Sequence, residues 1–479
     1  MSIATIDFTL GQAELHGGAP LLCITAGIVL ALLAEIVPAF KPARTLAYLG
    51  SLVAALLFEL RILGDPQGVI FQGTYSADRT SAVWGLLFIF AAILAWLYGT
   101  RYYDREAPYK PEHDILMLCS VLGMMLMAGA EDLLTFFVGL ELLSVPLYAL
   151  ASFRRVRAES VEAGLRYFIL GAFAAGLFLY GTALLYCATG TISLAGLRET
   201  GLGSPLATLG TALIAGALFF KISVFPFHFW VPDVYVGSPT PVTAFMATGT
   251  KAAGFAFLLK VVFLLPMSAA GTLGAIAILT MAIGNLGALI QDNLKRLLAY
   301  SAVAHAGTLL LVVAASLVGD PNPGGPLQAA LFYMAAYVFT AGGAFGILAL
   351  LEADGEHFTQ IESLRGLGTR RPGLATALSI FMLSLGGFPA TGGFLGKYFV
   401  FSSTMHAGML TISIIGVLLS VVALGYYLRV ILTMWMKPAP EGLAAPSANR
   451  PASSFATGFC VFCVLALGLA PGWFLERFF

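Results

Sequence analysis

Apolar runs of about twenty residues recur along this 479-residue chain, each closed by a short stretch rich in Pro, Gly or charge. About 20 apolar residues in helical form cross the ~30 Å hydrocarbon core of a bilayer. Inside that core no water meets a backbone N–H or C=O, so a run of this length must pair its own backbone as a helix. Fourteen such spans are read, at roughly 20–40, 44–63, 80–100, 113–130, 132–152, 162–187, 206–230, 239–262, 270–290, 297–318, 326–351, 373–403, 406–436 and 453–472. Composition agrees: 10% of residues are charged, against about 25% in a soluble domain. The fold class is therefore an all-α integral membrane protein of about fourteen transmembrane helices. The zero net charge gives no sign of nucleic acid as a partner. Residues 1–19 hold no Lys or Arg, which argues against a secretory leader. Five cysteines lie almost wholly in apolar runs, an odd number that implies no disulfide framework. Cys460 and Cys463 form a CxxC on one helical face, read as packing because no second ligand pair accompanies them.

Loop charges test the span count. Loops after odd-numbered spans carry Lys41, Arg44, Arg101, Arg105, Lys110, Arg154, Arg155, Arg157, Lys295, Arg296, Arg365, Arg370, Arg371, Lys437 and Arg450. The opposite side carries only Arg79, Arg198 and Arg477. Basic loops stay on the cytoplasmic side, so this bias places both termini on the outer side of the membrane. Arg61 and Lys260 lie near span ends and can snorkel, and Glu35 and Glu59 are read the same way.

Two spans carry internal breaks. Span seven reads LFFKISVFPFHFWVPD, with Pro226 inside it, and span twelve reads MLSLGGFPATGGFLGK, with Pro389 between two glycine pairs. Proline removes a backbone donor and clashes with the preceding turn, so each helix is expected to kink or break at mid-depth. The breaks are five spans apart. If spans four to eight and nine to thirteen are two copies, the odd number of helices turns the second copy upside down, an inverted repeat with its sites near the midplane. The expected division is 1–102 for the first three helices, 103–265 and 266–437 for the two five-helix units, and 438–479 for helix fourteen.

Four charges have no easy route to an interface: Glu141, Lys221, Lys251 and Lys397. One charge at the bilayer centre costs about 2.5–3.5 kcal/mol, so such residues are functional candidates. Lys251 lies about twelve residues past Pro239, or ~18 Å along a helix. The three lysines thus share a depth and form a row along the membrane. Desolvation weakens a lysine's hold on its proton and a nearby carboxylate restores it. Moving Glu141 toward or away from Lys221 would switch that amine between holding and releasing a proton. One pKa unit is about 1.4 kcal/mol, and one charge crossing 100 mV needs about 2.3 kcal/mol, so the energies match. His305 in AYSAVAHAGTLL is a candidate relay; a packed, hydrogen-bonded histidine is the competing reading. Tyr148, Tyr300, Ser144 and Ser301 can hold water between these sites or simply pack helices. His228 follows the span-seven break and is expected near the cytoplasmic mouth. For Glu141 and Lys221 a structural ion pair is the alternative, which leaves Lys251 and Lys397 unexplained.

DLLTFFVGLELLSVPLYALASF (132–153), FFKISVFPFHFWVPDVYVGSPTPVTAFMATGTKAAGFA (219–256), IGNLGALIQDNLKRLLAYSAVAHAG (283–307) and LSLGGFPATGGFLGKYFVF (383–401) resemble the antiporter-like membrane subunits of respiratory complex I, the bacterial NADH:quinone oxidoreductase. Within that family, WVPDVYVGSPTPVTAF and the lysine at 251 favour the N-type subunits over the L and M types. The resemblance implies a fourteen-helix fold and a proton-translocating module of the membrane arm. By motif match it makes Glu141 the span-five glutamate, Lys221 the span-seven lysine, Lys251 the central connecting lysine and Lys397 the terminal lysine of the broken span twelve. Thr250 precedes Lys251 where the family pattern has proline, which predicts a less distorted helix there. The resemblance places flavin and iron–sulfur clusters on other subunits and quinone elsewhere in the complex, with no cofactor or metal in this chain. Its partners would be lipids and other membrane-arm subunits, including neighbouring antiporter-like ones. The ending PGWFLERFF predicts no long lateral helix of the L type.

A cation/proton antiporter subunit of the Mrp type shares this ancestry and is the alternative function. A membrane scaffold whose charges only lock helices together is a third reading. A solute transporter is disfavoured, because no polar cluster suggests a substrate pocket.

Overall fold

A computed structural model describes residues 11–37, 43–105, 112–319, 325–439 and 450–478. Lys41 and Lys110 lie outside the described residues. Among the described residues thirteen helices are long and apolar enough to cross a membrane. The fourteenth expected span is the twelfth, which forms two helices of 15 residues each, Pro372–Gly386 and Gly392–His406.

Helix ends follow local chemistry. The Asp132 carboxylate caps span five, Leu133–Ala151, accepting from the Leu134 and Thr135 N–H groups at 2.8 and 2.7 Å. Asn293 caps span ten, Leu294–Val318, and Ser204 caps the first half of span seven, Pro205–Ile222. Gly190, at φ 74°, ends span six in the left-handed region that suits glycine. Span six itself is longer than expected, Ala158–Thr189, because polar ends of a helix in water need no apolar residues. Small additions appear before and between spans: a helix Gln12–Gly17 ahead of span one, a hairpin pairing Gly68–Ile70 with Tyr75–Ala77, and a helix Leu194–Glu199.

The inverted repeat is visible at the caps. On one face, Asp132 of the loop between spans four and five forms a bridge with Ser193, between spans six and seven. On the opposite face, Asn293 after span nine bridges Gln360 after span eleven. Leu194 N–H then bonds Glu131 C=O at 2.8 Å, and its counterpart pair is Ile361 N–H with Asp292 C=O, also at 2.8 Å. Span eleven, Gly325–Glu352, runs through the middle of the molecule, buried over its whole apolar window. Nothing on its surface distinguishes a core side from a lipid side, as expected of a helix enclosed by protein all round.

Three expectations need correction. Span eight is distorted without a proline: Thr240–Phe245 and Lys251–Val261 are α-helical, while Met246–Thr250 between them is a π turn. An extra residue per turn is tolerated because Thr248 and Thr250 hydroxyls bond the carbonyls of Ala244 and Met246. Glu59 does not snorkel; it is buried against helix three at Gly85, where glycine leaves room for the carboxylate. Arg101, Arg154 and Lys295, counted among basic loop residues, turn inward and are buried.

Candidate functional site

Both breaks are built the same way. In span seven the helix stops at Ser223, whose φ is 65°. Ser223 and Val224 N–H groups bond back to the carbonyls of Phe220 and Phe219, each at 3.1 Å. In span twelve Gly387, φ 85°, plays the same part, with Gly387 and Phe388 N–H bonded to Ser384 and Leu383 at 3.0 and 2.9 Å. Such αL ends satisfy two carbonyls of the last turn and leave others open. The span-seven break thus begins three residues before Pro226, and the helix resumes as Trp230–Gly237. His228 consequently lies inside the break, with that second half between it and the connection to span eight, rather than at the mouth.

Lys221 sits in the last turn before the break, buried, with its amine 2.8 Å from the Ser144 hydroxyl of span five and 5.7 Å from the Tyr167 ring centre. Among the described residues no carboxylate lies within 4 Å of it. Glu141 is one helical turn before Ser144 on span five, and its Oε1 has no hydrogen-bond partner. It shares an edge with Leu134, Val138 and Val145, which are more than half exposed. The structural ion pair is therefore not formed. Tyr148 packs edge-on against Tyr167, at 4.9 Å between ring centres, so it lines the same region.

Lys251 follows the π turn and donates to the Ala302 carbonyl of span ten, 5.5 Å from the Tyr337 ring centre. One turn on, Gly254 lets span eight pass close to Ile222, beside the Lys221 side chain. Beyond Ala302, His305 forms the centre of a polar cluster. Its Nδ1 is 2.5 Å from the Tyr333 hydroxyl and its Nε2 is 3.2 Å from the Tyr427 hydroxyl. Tyr427 in turn lies 2.5 Å from the Ser301 hydroxyl. Ser301 and His305 are four residues apart and share a helical face. Tyr300 is one residue out of that register and packs at Gly287 of span nine instead, so it takes no part. A small cavity lined by His305, Thr308, Asn285, Tyr426 and Lys397 leads on to the last lysine.

Lys397, in the second half of span twelve, reaches back over the break. Its amine bonds the Leu385 and Gly386 carbonyls at 2.9 and 3.0 Å, the groups the αL end leaves open. The row thus joins Lys251, His305 and Lys397 around span ten, and sets Lys221 with Ser144 at its other end. Tyr333, Tyr427 and Asn285 escaped the sequence reading. The available signal was a polar side chain at a buried position of an apolar helix, which Asn285 shows within a quoted motif.

Comparison with known proteins bears on this geometry. Residues 130–423 match the family described as NADH:quinone oxidoreductase/Mrp antiporter, TM. The chain belongs to this family. Among its relatives, the NADH-quinone oxidoreductase subunit N of Trichlorobacter lovleyi is 43% identical over 380 residues, covering 78% of this chain and 77% of the relative. Among solved structures, a chain of respiratory complex I from Thermus thermophilus with bound aureothin superposes with a TM-score of 0.81 at 37% identity, covering 95% and 98% of the two chains. The Mrp complex from Dietzia sp. DQ12-45-1b gives 0.80 at 22% identity, covering 97% and 96%, a likeness of fold alone. The matched antiporter-family segment takes in both breaks and the whole lysine row.

Proposed function

We propose that this chain is a proton-translocating, non-redox subunit in the membrane arm of an NADH:quinone oxidoreductase, with protons moving along Glu141, Lys221, Lys251, His305 and Lys397. One observation carries the reading. All three central lysines rest their amines on neutral acceptors, the Ser144 hydroxyl and the carbonyls of Ala302, Leu385 and Gly386. An amine held in an ion pair keeps its proton, whereas one held by neutral oxygens at low dielectric responds to any charge that approaches. Glu141, on the outward edge of span five, is placed to feel a neighbouring subunit as well as Lys221. Tyr333, Tyr427 and Ser301 supply hydroxyls that can pass a proton to either side of His305, while Ser144 and Tyr148 line the Lys221 end.

The N-type relatives support membership of complex I. The basic loops support a cytoplasmic position for the odd-span side and periplasmic termini in a bacterial inner membrane. Redox chemistry, with flavin, iron–sulfur clusters and quinone, falls to other subunits in this reading. The five-helix units 103–265 and 266–437 each supply one break and its lysine. In the assembled complex, Lys221→Ala and Glu141→Ala are expected to lower protons moved per electron while the NADH reaction with an artificial acceptor persists. Normal coupled turnover in both variants rejects the reading. Sodium- or potassium-for-proton exchange by the complex without quinone would instead favour an Mrp-type antiporter.

A further inference from the structure

The inward-turned basic residues converge on one acid. Glu352, the last residue of span eleven, is 3% exposed. Its Oε1 accepts from the Tyr102 hydroxyl at 3.2 Å and from Arg154 Nη1 at 3.3 Å. Its Oε2 accepts from the Thr240 hydroxyl and faces Lys295 Nζ at 3.7 Å. Three hydrogen bonds and the Lys295 ammonium surround the carboxylate, so Glu352 is tied to four separate stretches of the chain. Its cationic partners reach further: Arg154 Nη2 bonds the Gly237 carbonyl at 3.3 Å, and Lys295 Nζ bonds the Ser238 carbonyl at 2.7 Å. Beside them Arg101 grips Asp354 through two contacts of 2.7 and 2.8 Å.

Gly237, Ser238 and Thr240 are the connection between the broken span seven and span eight. The cluster therefore clamps the head of the helix that carries Lys251. Span eight and the connection before it hydrogen-bond to span ten at the Ser238 carbonyl, which takes Lys295, and at Lys251, which donates to the Ala302 carbonyl. Lys295 and Ala302 are seven residues apart, on one face of span ten and about 10 Å apart along it. Between the two points lies the π turn Met246–Thr250, the part of span eight whose hydrogen-bond register is least regular.

We infer that Glu352 is a positioning residue: with Arg154, Lys295 and Thr240 it sets the register of span eight on span ten, and so places the Lys251 amine on the row. This rests on the proton-moving role proposed for Lys251. An intact clamp keeps one side of the π turn fixed, and a change at Lys251 is then transmitted along spans eight and ten instead of being lost in a slipping helix head.

The test uses the whole complex in membranes, with assembly followed by the artificial-acceptor reaction and coupling by protons moved per electron. Glu352→Gln and Thr240→Val are expected to assemble and to lower protons per electron at least twofold. Lys295→Arg, which keeps the charge and the reach, is expected to stay near the parent value. Thr240→Val removes one hydroxyl from the clamp and no charge, so it decides the matter if Glu352→Gln fails to assemble. Parent protons per electron in the assembled variants overturns the inference. So does failure of both to assemble, which makes the cluster a plain brace. Lys251→Ala runs alongside: an unchanged ratio there rejects the role of the row itself, whereas a lowered ratio with normal Glu352→Gln and Thr240→Val rejects only the clamp.

Discussion

Replacing Lys397 by methionine tests whether the amine holds the span-twelve break closed. In the parent, Nζ bonds the Leu385 and Gly386 carbonyls at 2.9 and 3.0 Å. Methionine fills similar space and offers no donor, so two carbonyls lose their partner in a water-poor site. An unsatisfied buried acceptor costs about 1–3 kcal/mol, which puts the pair at about 2–6 kcal/mol. The closed break is held by Gly387 and Phe388 N–H bonds to Ser384 and Leu383. Amide exchange at those two groups reports how often the break opens. Two kcal/mol, the lower bound, corresponds to about a 30-fold rise in opening, since about 1.4 kcal/mol is tenfold. Hydrogen–deuterium exchange on the purified complex, read in a peptide spanning 383–391, should therefore accelerate at least 30-fold in Lys397→Met. Lys397→Arg should stay close to the parent, because a guanidinium can reach the same carbonyls. Unchanged exchange in Lys397→Met refutes the reasoning, because the carbonyls would then have another donor and the lysine no structural hold on the break.

Two further predictions follow from local geometry. Ser144→Ala removes the hydroxyl acceptor of the Lys221 amine, and is expected to lower protons per electron while leaving the artificial-acceptor reaction intact; Ser144→Thr should restore part of the loss, and equal ratios in all three forms would dismiss Ser144 as a partner. Asp132→Ala and Asn293→Ala each remove a cap from equivalent places on opposite faces, so each should cost about 0.5–2 kcal/mol, seen as faster thermal inactivation of the complex with protons per electron unchanged; a large fall in that ratio in either would contradict a purely structural role.

How the four stranded charges find partners was only partly legible. Counting along apolar runs sets them far from the span ends, and the two broken spans are announced by Pro226 and Pro389 with neighbouring small residues. The αL end at Ser223, a non-glycine residue, moved the first break upstream and put His228 inside it. From the sequence Ser144 reads as a water-holding or packing residue, and its capture of the Lys221 amine in place of Glu141 depends on how span five is rotated. Tyr300 and Ser301 differ by one residue and by about 100° around the helix, and only contact with span thirteen shows that Ser301 meets Tyr427 and, through it, His305. Glu352 gave no signal, since a carboxylate at a helix end reads as solvated until the cations of distant loops are seen to turn toward it.

From its residues alone, the chain determined the run of apolar spans and which two of them are broken. These follow from hydrocarbon thickness, helix rise and proline chemistry, which act within one helix at a time. Tertiary structure decided which face of each helix meets which: Lys221 on Ser144, Lys251 on Ala302, His305 between Tyr333 and Tyr427, and the π turn in span eight without proline. Helices that are apolar all round carry no periodic stripe to announce their rotation, so those pairings are settled only when fourteen spans pack together.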